Sequence, residues 1–164
     1  MLELIESYFA GINKILAVFI VSMMPVVELR GAIPFGVSLS LDWREVYLVS
    51  VLGNMLPVPF IILFFRPLIE YFEKTKLFGK IASKLKKRTH SKIEGMNKFK
   101  MLGLFLFVAI PLPGTGAWTG AAIAALLKMR IKHSFFPILL GVLVAGVLMM
   151  GISYGFGELI SHFF

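Results

Sequence analysis

Apolar residues form six stretches along the chain, at roughly 12–27, 32–41, 46–65, 101–110, 117–127 and 135–156. Only the third and the sixth reach the ~20 residues that a helix needs to cross a membrane. A ten-residue piece such as 101–110 rises about 15 Å, which is half of the hydrocarbon core. The pattern therefore predicts an all-α protein with two full spans and four half-length helices.

Each pair of half-length stretches meets at a cluster of polar and helix-breaking residues. The first cluster, residues 24–34, contains Glu28 and Arg30, and the second, residues 111–116, is rich in proline and glycine. At membrane depth such residues are tolerated mainly where the backbone lines a cavity or a substrate path. An unpaired charge there costs roughly 2.5–3.5 kcal/mol. Both clusters are therefore candidate functional sites.

The composition agrees with a membrane location. Hydrophobic residues make up 58% of the 164 residues and charged residues only 16%, with a mean hydropathy of +0.87. These values are far from those of soluble domains, so we expect one integral membrane domain over residues 1–164. The absence of cysteine excludes disulfides, thiolate chemistry and cysteine-based metal sites.

The net charge of +8 comes from one segment, residues 66–100, which holds eleven Lys or Arg against three Glu. Within it Leu77, Ile81 and Leu85 recur at helical spacing, which predicts a basic amphipathic segment at the membrane surface. Basic residues beside a span are typical of cytoplasmic loops, so we expect this segment on the cytoplasmic face and no nucleic-acid partner.

Each pair of half-length helices can form either one broken helix that crosses once or a re-entrant hairpin that returns to its own side. Single crossings would place the basic loop 128–133 and the basic segment 66–100 on opposite faces, against the positive-inside tendency. Hairpins place both on the cytoplasmic face. The charge distribution therefore favours two re-entrant hairpins, each followed by one full transmembrane helix.

This layout is an inverted repeat, with repeat one at 12–65, the basic cytoplasmic linker at 66–100 and repeat two at 101–157. A shift of 86 residues places Pro25 on Pro111 and Arg44 on Arg130, so the order of break, half-helix, charged corner and span recurs. In transporters of this design the substrate site lies near the bilayer midplane, where the repeats meet. We expect the two hairpin tips to meet there.

The residues of the two tips are therefore the candidate substrate-binding residues. In the proposed roles Arg30 meets an anionic group, and Glu28 is a counter-charge or a proton carrier; the alternative is a structural ion pair that ties one hairpin to the other. The candidates are Glu28, Arg30, Gly31, Pro34, Pro111, Pro113, Gly114, Thr115, Gly116 and Trp118.

Local chemistry gives further expectations for these tips. Pro34 fits the first turn of a returning half-helix, where its missing N–H costs nothing, and Thr115 or Thr119 can cap the other returning half-helix. Two helix N-termini would then offer free N–H groups beside Arg30, which suits a phosphate or a carboxylate. Trp118 either lines the cavity or packs the hairpin.

The first full span contains breakers of its own. Pro57 and Pro59 follow Asn54 within five residues, which predicts a kink in this helix. Asn54 is expected to hydrogen-bond to the hairpin tips.

The segments ELRGAIP (28–34) and PLPGTGAWTG (111–120) resemble the motifs of the small multidrug export family of prokaryotic membrane proteins, and the resemblance covers nearly the whole chain. That family is more distantly similar to the DedA and VTT-domain superfamily. The superfamily has paired re-entrant hairpins and is linked to lipid scrambling or to the return of polyprenyl phosphate carriers. Its arginine-rich pattern in the second repeat is not present here, so its residue roles are not transferred to this chain.

These observations lead to an expected function in the plasma membrane of a prokaryote. The first expectation is translocation of an anionic lipid phosphate, either a polyprenyl phosphate or a phospholipid. The alternatives are a proton-coupled exporter of small amphipathic drugs and a non-transporting structural protein. An enzyme is not expected, because no nucleophile–base pair or metal cluster occurs at membrane depth. The expected partners are membrane lipids and a second copy in a homodimer, with no cofactor and with possible coupling to a proton gradient.

Overall fold

The computed structural model describes residues 13–73, 93–112 and 114–163, and within these ranges the chain is helical without strands. Helices are numbered here in chain order. They are α1 (Lys14–Met23), α2 (Glu28–Ser38), α3 (Trp43–Met55), α4 (Pro57–Glu73), α5 (Ile93–Ala109), α6 (Ala117–Leu126) and α7 (Ile131–Phe163).

Within the described ranges, two segments are long and apolar enough to cross a membrane. Trp43–Phe65 has 23 residues and a mean hydropathy of 2.2, and Ile131–Gly155 has 25 residues and a mean hydropathy of 2.5. The first is interrupted at Leu56, directly before Pro57, so that it consists of α3 and the start of α4. Large apolar side chains such as Leu52 and Phe64 are exposed on its outer face, as expected for a surface that contacts lipid.

The other helices form two pairs, α1 with α2 and α5 with α6. In the first helix pair, α1 and α2, the Nζ of Lys14 donates to the carbonyl oxygen of Leu39 at 3.2 Å, so the start of α1 lies beside the end of α2 and the helices are antiparallel. In the second helix pair, α5 and α6, Gly120 lies so close to Val108 that a Cβ would be 2.7 Å from its side chain. Neither α1 nor α6 exceeds 10 residues, about 15 Å in length.

A close helix contact recurs at matching positions in the two halves. Gly53 of α3 lies against the carbonyl oxygen of Phe19 and the hydroxyl of Ser22 in α1. Gly141 of α7 lies against the carbonyl oxygen of Phe105 and the side chain of Val108 in α5. Phe105 and Val108 follow Phe19 and Ser22 by 86 positions, and Gly141 follows Gly53 by 88. In both halves the first short helix therefore crosses the long segment at a glycine.

The second helix of each pair also packs against the other half. Helix α2 contacts α7, and α6 contacts α4. Gly146 of α7 lies against Tyr47 and Leu29, and the Tyr47 hydroxyl donates to the carbonyl oxygen of Leu143 at 3.1 Å. One apolar core therefore joins the two halves, with Leu29, Ile62, Val108, Ala121 and Ile138 among its buried members.

Three boundaries differ from the expectations. Helix α2 begins at Glu28, so Pro34 is its seventh residue and not part of its first turn; the helix forms as soon as the chain leaves the preceding turn. Helix α4 continues to Glu73 and α5 begins at Ile93, so both ends of the expected linker are helical. The amphipathic pattern of Leu77, Ile81 and Leu85 lies outside the described residues.

Candidate functional site

The carboxylate of Glu28 lies at the contact between the two helix pairs. Glu28 is buried, with 5% of its surface exposed. Its Oε2 accepts a hydrogen bond from the backbone N–H of Ala117 at 3.2 Å, and its Oε1 accepts from the N–H of Trp118 at 3.0 Å. These are the first two residues of α6, whose own N-cap residue, Gly116, has no side chain. Glu28 of the first pair therefore caps a helix of the second.

Gly116 provides the space for this cap. A Cβ at Gly116 would lie 1.9 Å from Oε2 of Glu28, well inside any real contact. The residue also has φ +153°, a conformation that other residues rarely adopt. Both observations require glycine at this position.

Arg30 binds the other end of the break in the second pair. Its Nη1 donates to the carbonyl oxygen of Leu112, and its Nη2 donates to those of Ile110 at 3.2 Å and Val108 at 3.5 Å. Helix α5 ends at Ala109, so these are carbonyl groups at and just beyond its C-terminus. A positive charge is favourable there, as a negative charge is at the N-terminus of α6. Glu28 and Arg30 thus neutralise the two facing helix ends.

The hydroxyl of Thr115 lies inside the turn between α5 and α6. It accepts from Nη2 of Arg30 at 2.8 Å, and it lies 2.8 Å from the carbonyl oxygen of Ile110 and 2.9 Å from that of Leu112. Its single hydrogen can serve only one of these two acceptors at a time. Arg30 therefore adds charged donors to the backbone N–H groups of Leu112 and Thr115, which donate to the carbonyl oxygens of Ile110 at 2.8 Å and Leu112 at 3.2 Å.

The turn that presents Glu28 has an uncommon backbone. Val26 has φ +83° and Glu28 has φ +50°, in the region that favours glycine. Such conformations cost about 1–3 kcal/mol each and persist where the surroundings hold them. Val26 is 99% exposed at the end of the turn. The backbone strain therefore occurs in the same turn that places the Glu28 carboxylate against α6.

Trp118 makes a further link between the pairs, because its Nε1–H donates to the carbonyl oxygen of Met23 at 3.1 Å. This is the last residue of α1. We expect Trp118→Phe, which keeps a smaller aromatic ring but removes the Nε1–H donor, to lower the free energy of unfolding by at least about 1 kcal/mol. Denaturation of the purified protein in detergent micelles measures this change, and Trp43→Phe, at an exposed position, is the matched control.

The structure brings five of the ten candidate residues into one network, namely Glu28, Arg30, Thr115, Gly116 and Trp118. The other five have different positions. Gly31 lies against Val27, Pro34 lies within α2, Pro111 is half-buried at the end of α5, Gly114 is an exposed turn residue with φ +80°, and Pro113 is outside the described residues.

Two expectations about the helix ends are wrong. Neither Thr115 nor Thr119 caps α6, because the Glu28 carboxylate occupies the N–H groups of Ala117 and Trp118. These N–H groups are therefore not free for an anion in this structure. The sequence shows two charges and two helix breaks, but it does not show that the Glu28 carboxylate binds the N-terminus of α6.

Two polar residues of α3 lie in the core without partners. Asn54 and Ser50 are fully buried, and neither the amide atoms of Asn54 nor the hydroxyl of Ser50 has a hydrogen bond in the described chain. The expected bonds from Asn54 to the hairpin tips are therefore absent. A buried polar group without a partner costs about 1–3 kcal/mol. In the sequence, this pair is indicated by the four-residue spacing of Ser50 and Asn54 within an apolar stretch, followed by two prolines.

Residues 28–148 match the model of the family described as "Putative small multi-drug export protein". The chain belongs to this family. The match begins at Glu28 and contains every residue of the contact network except Met23. Neither a curated protein nor a solved structure matches the chain.

Membership in this family and the two apolar segments identify a membrane protein. The family description names export but no compound. Among the described residues, no group of three or more His, Asp or Glu side chains is placed to hold a metal ion. The contact between the two helix pairs is thus the candidate functional site of this family member.

Proposed function

We propose that this protein is a proton-coupled exporter of small amphipathic compounds, in which Glu28 exchanges a proton for the transported compound. The observation that carries the proposal is the setting of Glu28. It is a buried ionisable group in an apolar domain, and its hydrogen-bond partners in the described chain are two backbone N–H groups. The family description, which names export, supports the same function.

Protonation of Glu28 would change the contact between the helix pairs. The carboxylate accepts its hydrogen bonds at the N-terminus of α6, whose partial positive charge favours the ionised form, and the positive charge of Arg30 acts on it in the same direction. Hydrogen bonds to a charged group are roughly twice as strong as neutral ones. A proton on Glu28 would therefore weaken the connection from α2 to α6, which is what a proton-controlled gate requires.

We infer that the two helix pairs are re-entrant hairpins of an inverted repeat. Helices α1, α2 and α6 have 10 or 11 residues, and the apolar part of α5 is Phe99–Ala109; each of these lengths, about 15 Å, covers half of a hydrocarbon core of about 30 Å. The glycine contact at Gly53 and Gly141 recurs at matching positions, and α2 packs on α7 as α6 packs on α4. In this arrangement the Glu28 contact lies near the midplane, and the segments 66–100 and 128–133 face the cytoplasm.

We propose the plasma membrane as the location and a homodimer as the working form. Residues 110–112 and 114–116 and the turn 24–27 hold irregular backbone, which is tolerated at membrane depth only inside protein or beside a water-filled cavity. A second copy would supply part of this cover, and lipids would cover the exposed apolar faces. The protein has no proposed enzymatic activity.

Translocation of an anionic lipid phosphate is the second candidate. The N–H groups of Ala117 and Trp118 bind a carboxylate, and a helix N-terminus binds phosphate by the same chemistry. However, both terminal nitrogens of Arg30 are engaged by the second pair. A lipid phosphate would first have to displace Glu28, so the geometry ranks this function below export.

The test is transport by the full chain in proteoliposomes with an imposed pH gradient, with ethidium as the amphipathic cation. We expect Glu28→Gln to reduce gradient-driven transport at least tenfold, because glutamine keeps the shape but cannot exchange a proton. Glu45→Gln, at an exposed position near the start of α3, is the matched control and should transport at the wild-type rate. Wild-type transport by Glu28→Gln would refute the proposal.

The same vesicles distinguish the second candidate. Transbilayer movement of a polyprenyl phosphate and of a fluorescent phospholipid is measured in the absence of ethidium. Under the export proposal neither lipid moves faster than in empty vesicles. If the wild type moves lipid but not ethidium, and if lipid movement is lost when Glu28 or Arg30 is replaced, the function is lipid translocation and not export.

A further inference from the structure

Ser50 and Asn54 form a buried polar cluster that the contact network does not use. Both are fully enclosed, and three of their polar atoms lack any partner in the described chain: Oγ of Ser50 and both Oδ1 and Nδ2 of Asn54. Because they are four residues apart in α3, they lie on the same face of the helix. A native interior rarely leaves such groups unsatisfied, so this cluster points to an occupant.

The register of α2 and α3 places this cluster at the level of Glu28. The two helices are joined by residues 39–42 and pack against each other, with Gly36 directly against Val46. Eight residues back from Gly36 is Glu28, and eight residues on from Val46 is Asn54. Both steps are about 12 Å along antiparallel axes. The amide of Asn54 therefore lies at the height of the Glu28 cap.

The unpaired atoms indicate what the occupant is. A cation would satisfy the oxygen of Asn54 but not its N–H group, and an anion would do the reverse. A neutral molecule that both donates and accepts is required, and water is the one small enough for an enclosed position. Pro57 and Pro59 have no N–H for the carbonyl groups of Gly53 and Met55, four residues earlier, so further acceptors lie at the same end of α3.

We propose that Ser50 and Asn54 bind internal water and that this water delivers the proton to Glu28. The water site stands on its own, whereas the proton path rests on the proposed function. In the transfer step, a hydronium ion in the water site gives one proton to the Glu28 carboxylate, which leaves a water molecule and a neutral carboxylic acid. The reverse step restores the hydronium ion and the carboxylate. Ser50 and Asn54 act as positioning residues that hold the water.

In the described segments that surround Glu28, the sequence offers no second carboxylic acid and no histidine to carry this proton. Arg30 is the charged residue of its own helix, and it is held by carbonyl groups. The segments of the other helices that pack around the site also lack ionisable carboxylates, histidines and basic residues. No Asp, Glu, His, Lys or Arg occurs in residues 15–27, 46–65, 117–127 and 134–155. The hydroxyl of Tyr47 donates its hydrogen to the carbonyl oxygen of Leu143. A proton from bulk water must therefore pass through neutral groups or water.

The experiment compares Asn54→Leu and Ser50→Ala with the wild type in proteoliposomes. The control is Ser134→Ala, which removes an equally buried hydroxyl that already has a partner, the carbonyl oxygen of Arg130 at 3.0 Å. We expect Asn54→Leu to slow gradient-driven ethidium transport at least tenfold, and Ser50→Ala to slow it to a smaller extent. Exchange of labelled for unlabelled ethidium without a pH gradient needs no proton transfer and should keep its wild-type rate in both variants.

The outcomes separate this inference from the proposed function. Wild-type transport by Glu28→Gln would remove the proton site itself, whatever Asn54 does. Loss of transport in Glu28→Gln with a wild-type rate in Asn54→Leu would overturn the proton path alone. Thermal unfolding tests the water directly: an empty site predicts a higher midpoint for Asn54→Leu and Ser50→Ala, and that result would overturn the water site, whereas a hydrated site predicts a lower midpoint for both.

Discussion

Replacement of Gly116 by alanine is expected to abolish transport and to lower the free energy of unfolding by about 3 kcal/mol. The new Cβ would lie 1.9 Å from Oε2 and 2.6 Å from Cδ of Glu28, so the carboxylate would have to leave the α6 N-terminus. Alanine would also be held at φ +153°, which it rarely adopts. Denaturation in detergent micelles and ethidium transport in proteoliposomes measure the two effects.

Gly103→Ala is the matched control for this substitution. Gly103 lies in the interior of α5, and a Cβ there would meet nothing within 4 Å. Because alanine is the better helix former by about 1 kcal/mol, Gly103→Ala should leave the stability equal or higher. A loss of stability at Gly103 comparable to that at Gly116 would show that the Glu28 contact is not the cause.

A double substitution tests whether the clash involves Glu28 itself. In a Glu28→Ala background the side chain that occupies the space beside Gly116 is absent, so Gly116→Ala should cost at least about 1 kcal/mol less than in the wild type. Equal costs in both backgrounds would attribute the whole effect to the backbone angle. The cycle therefore separates close approach from conformational strain.

The helices of this protein could largely be predicted from hydropathy, because the length of an apolar stretch limits how far a helix can extend. The two full-length segments and the short helices follow from this rule, and the break at Leu56 follows from the missing N–H of Pro57. The start of α2 could not be predicted from Pro34. A proline inside a helix is disfavoured on average, but here tertiary contacts on both sides of α2 hold it.

The partners of Glu28 and Arg30 could not be predicted from the sequence. Both are costly at membrane depth, but apart from the Thr115 hydroxyl their partners are backbone groups about 80–90 positions later, and backbone groups leave no signature in side-chain chemistry. Only the fold brings the turn of the first pair against the break of the second. The contact joins the two helix pairs through these groups, and under the proposed function a proton on Glu28 would weaken it.

The two helix ends explain why both charges occur so close together on α2. A broken helix presents a positive N-terminus and a negative C-terminus at the same place, and each end needs a complementary group. Glu28 and Arg30 provide both from a single turn of one helix. Loss of Glu28 should therefore disturb the N-terminus of α6, and loss of Arg30 should disturb the C-terminus of α5. A comparison of variants at the two positions can measure the two effects.

Replacement of Arg30 by alanine is expected to lower the free energy of unfolding by about 3 kcal/mol, because hydrogen bonds to charged groups contribute roughly 1.5–3 kcal/mol and several are lost together. The carbonyl groups of Ile110 and Leu112 would keep their backbone N–H donors but would lose the charged donors of the guanidinium, which the single hydrogen of Thr115 cannot replace. Arg30→Lys should recover only part of this loss, since one ammonium group cannot reproduce the geometry of the guanidinium fork.

Arg44→Ala provides the control for charge and size. Arg44 is exposed and lies over the ring of Trp43 at 5.1 Å, so its removal should change the stability by no more than about 1 kcal/mol. Denaturation of the three variants in the same detergent gives the comparison. If Arg30→Ala were as stable as Arg44→Ala, the carbonyl groups at the end of α5 would be satisfied without Arg30, and its contact with the second helix pair would contribute nothing to the fold. If Arg30→Ala is the least stable and Arg30→Lys lies between it and the wild type, the guanidinium holds the break of the second pair in place.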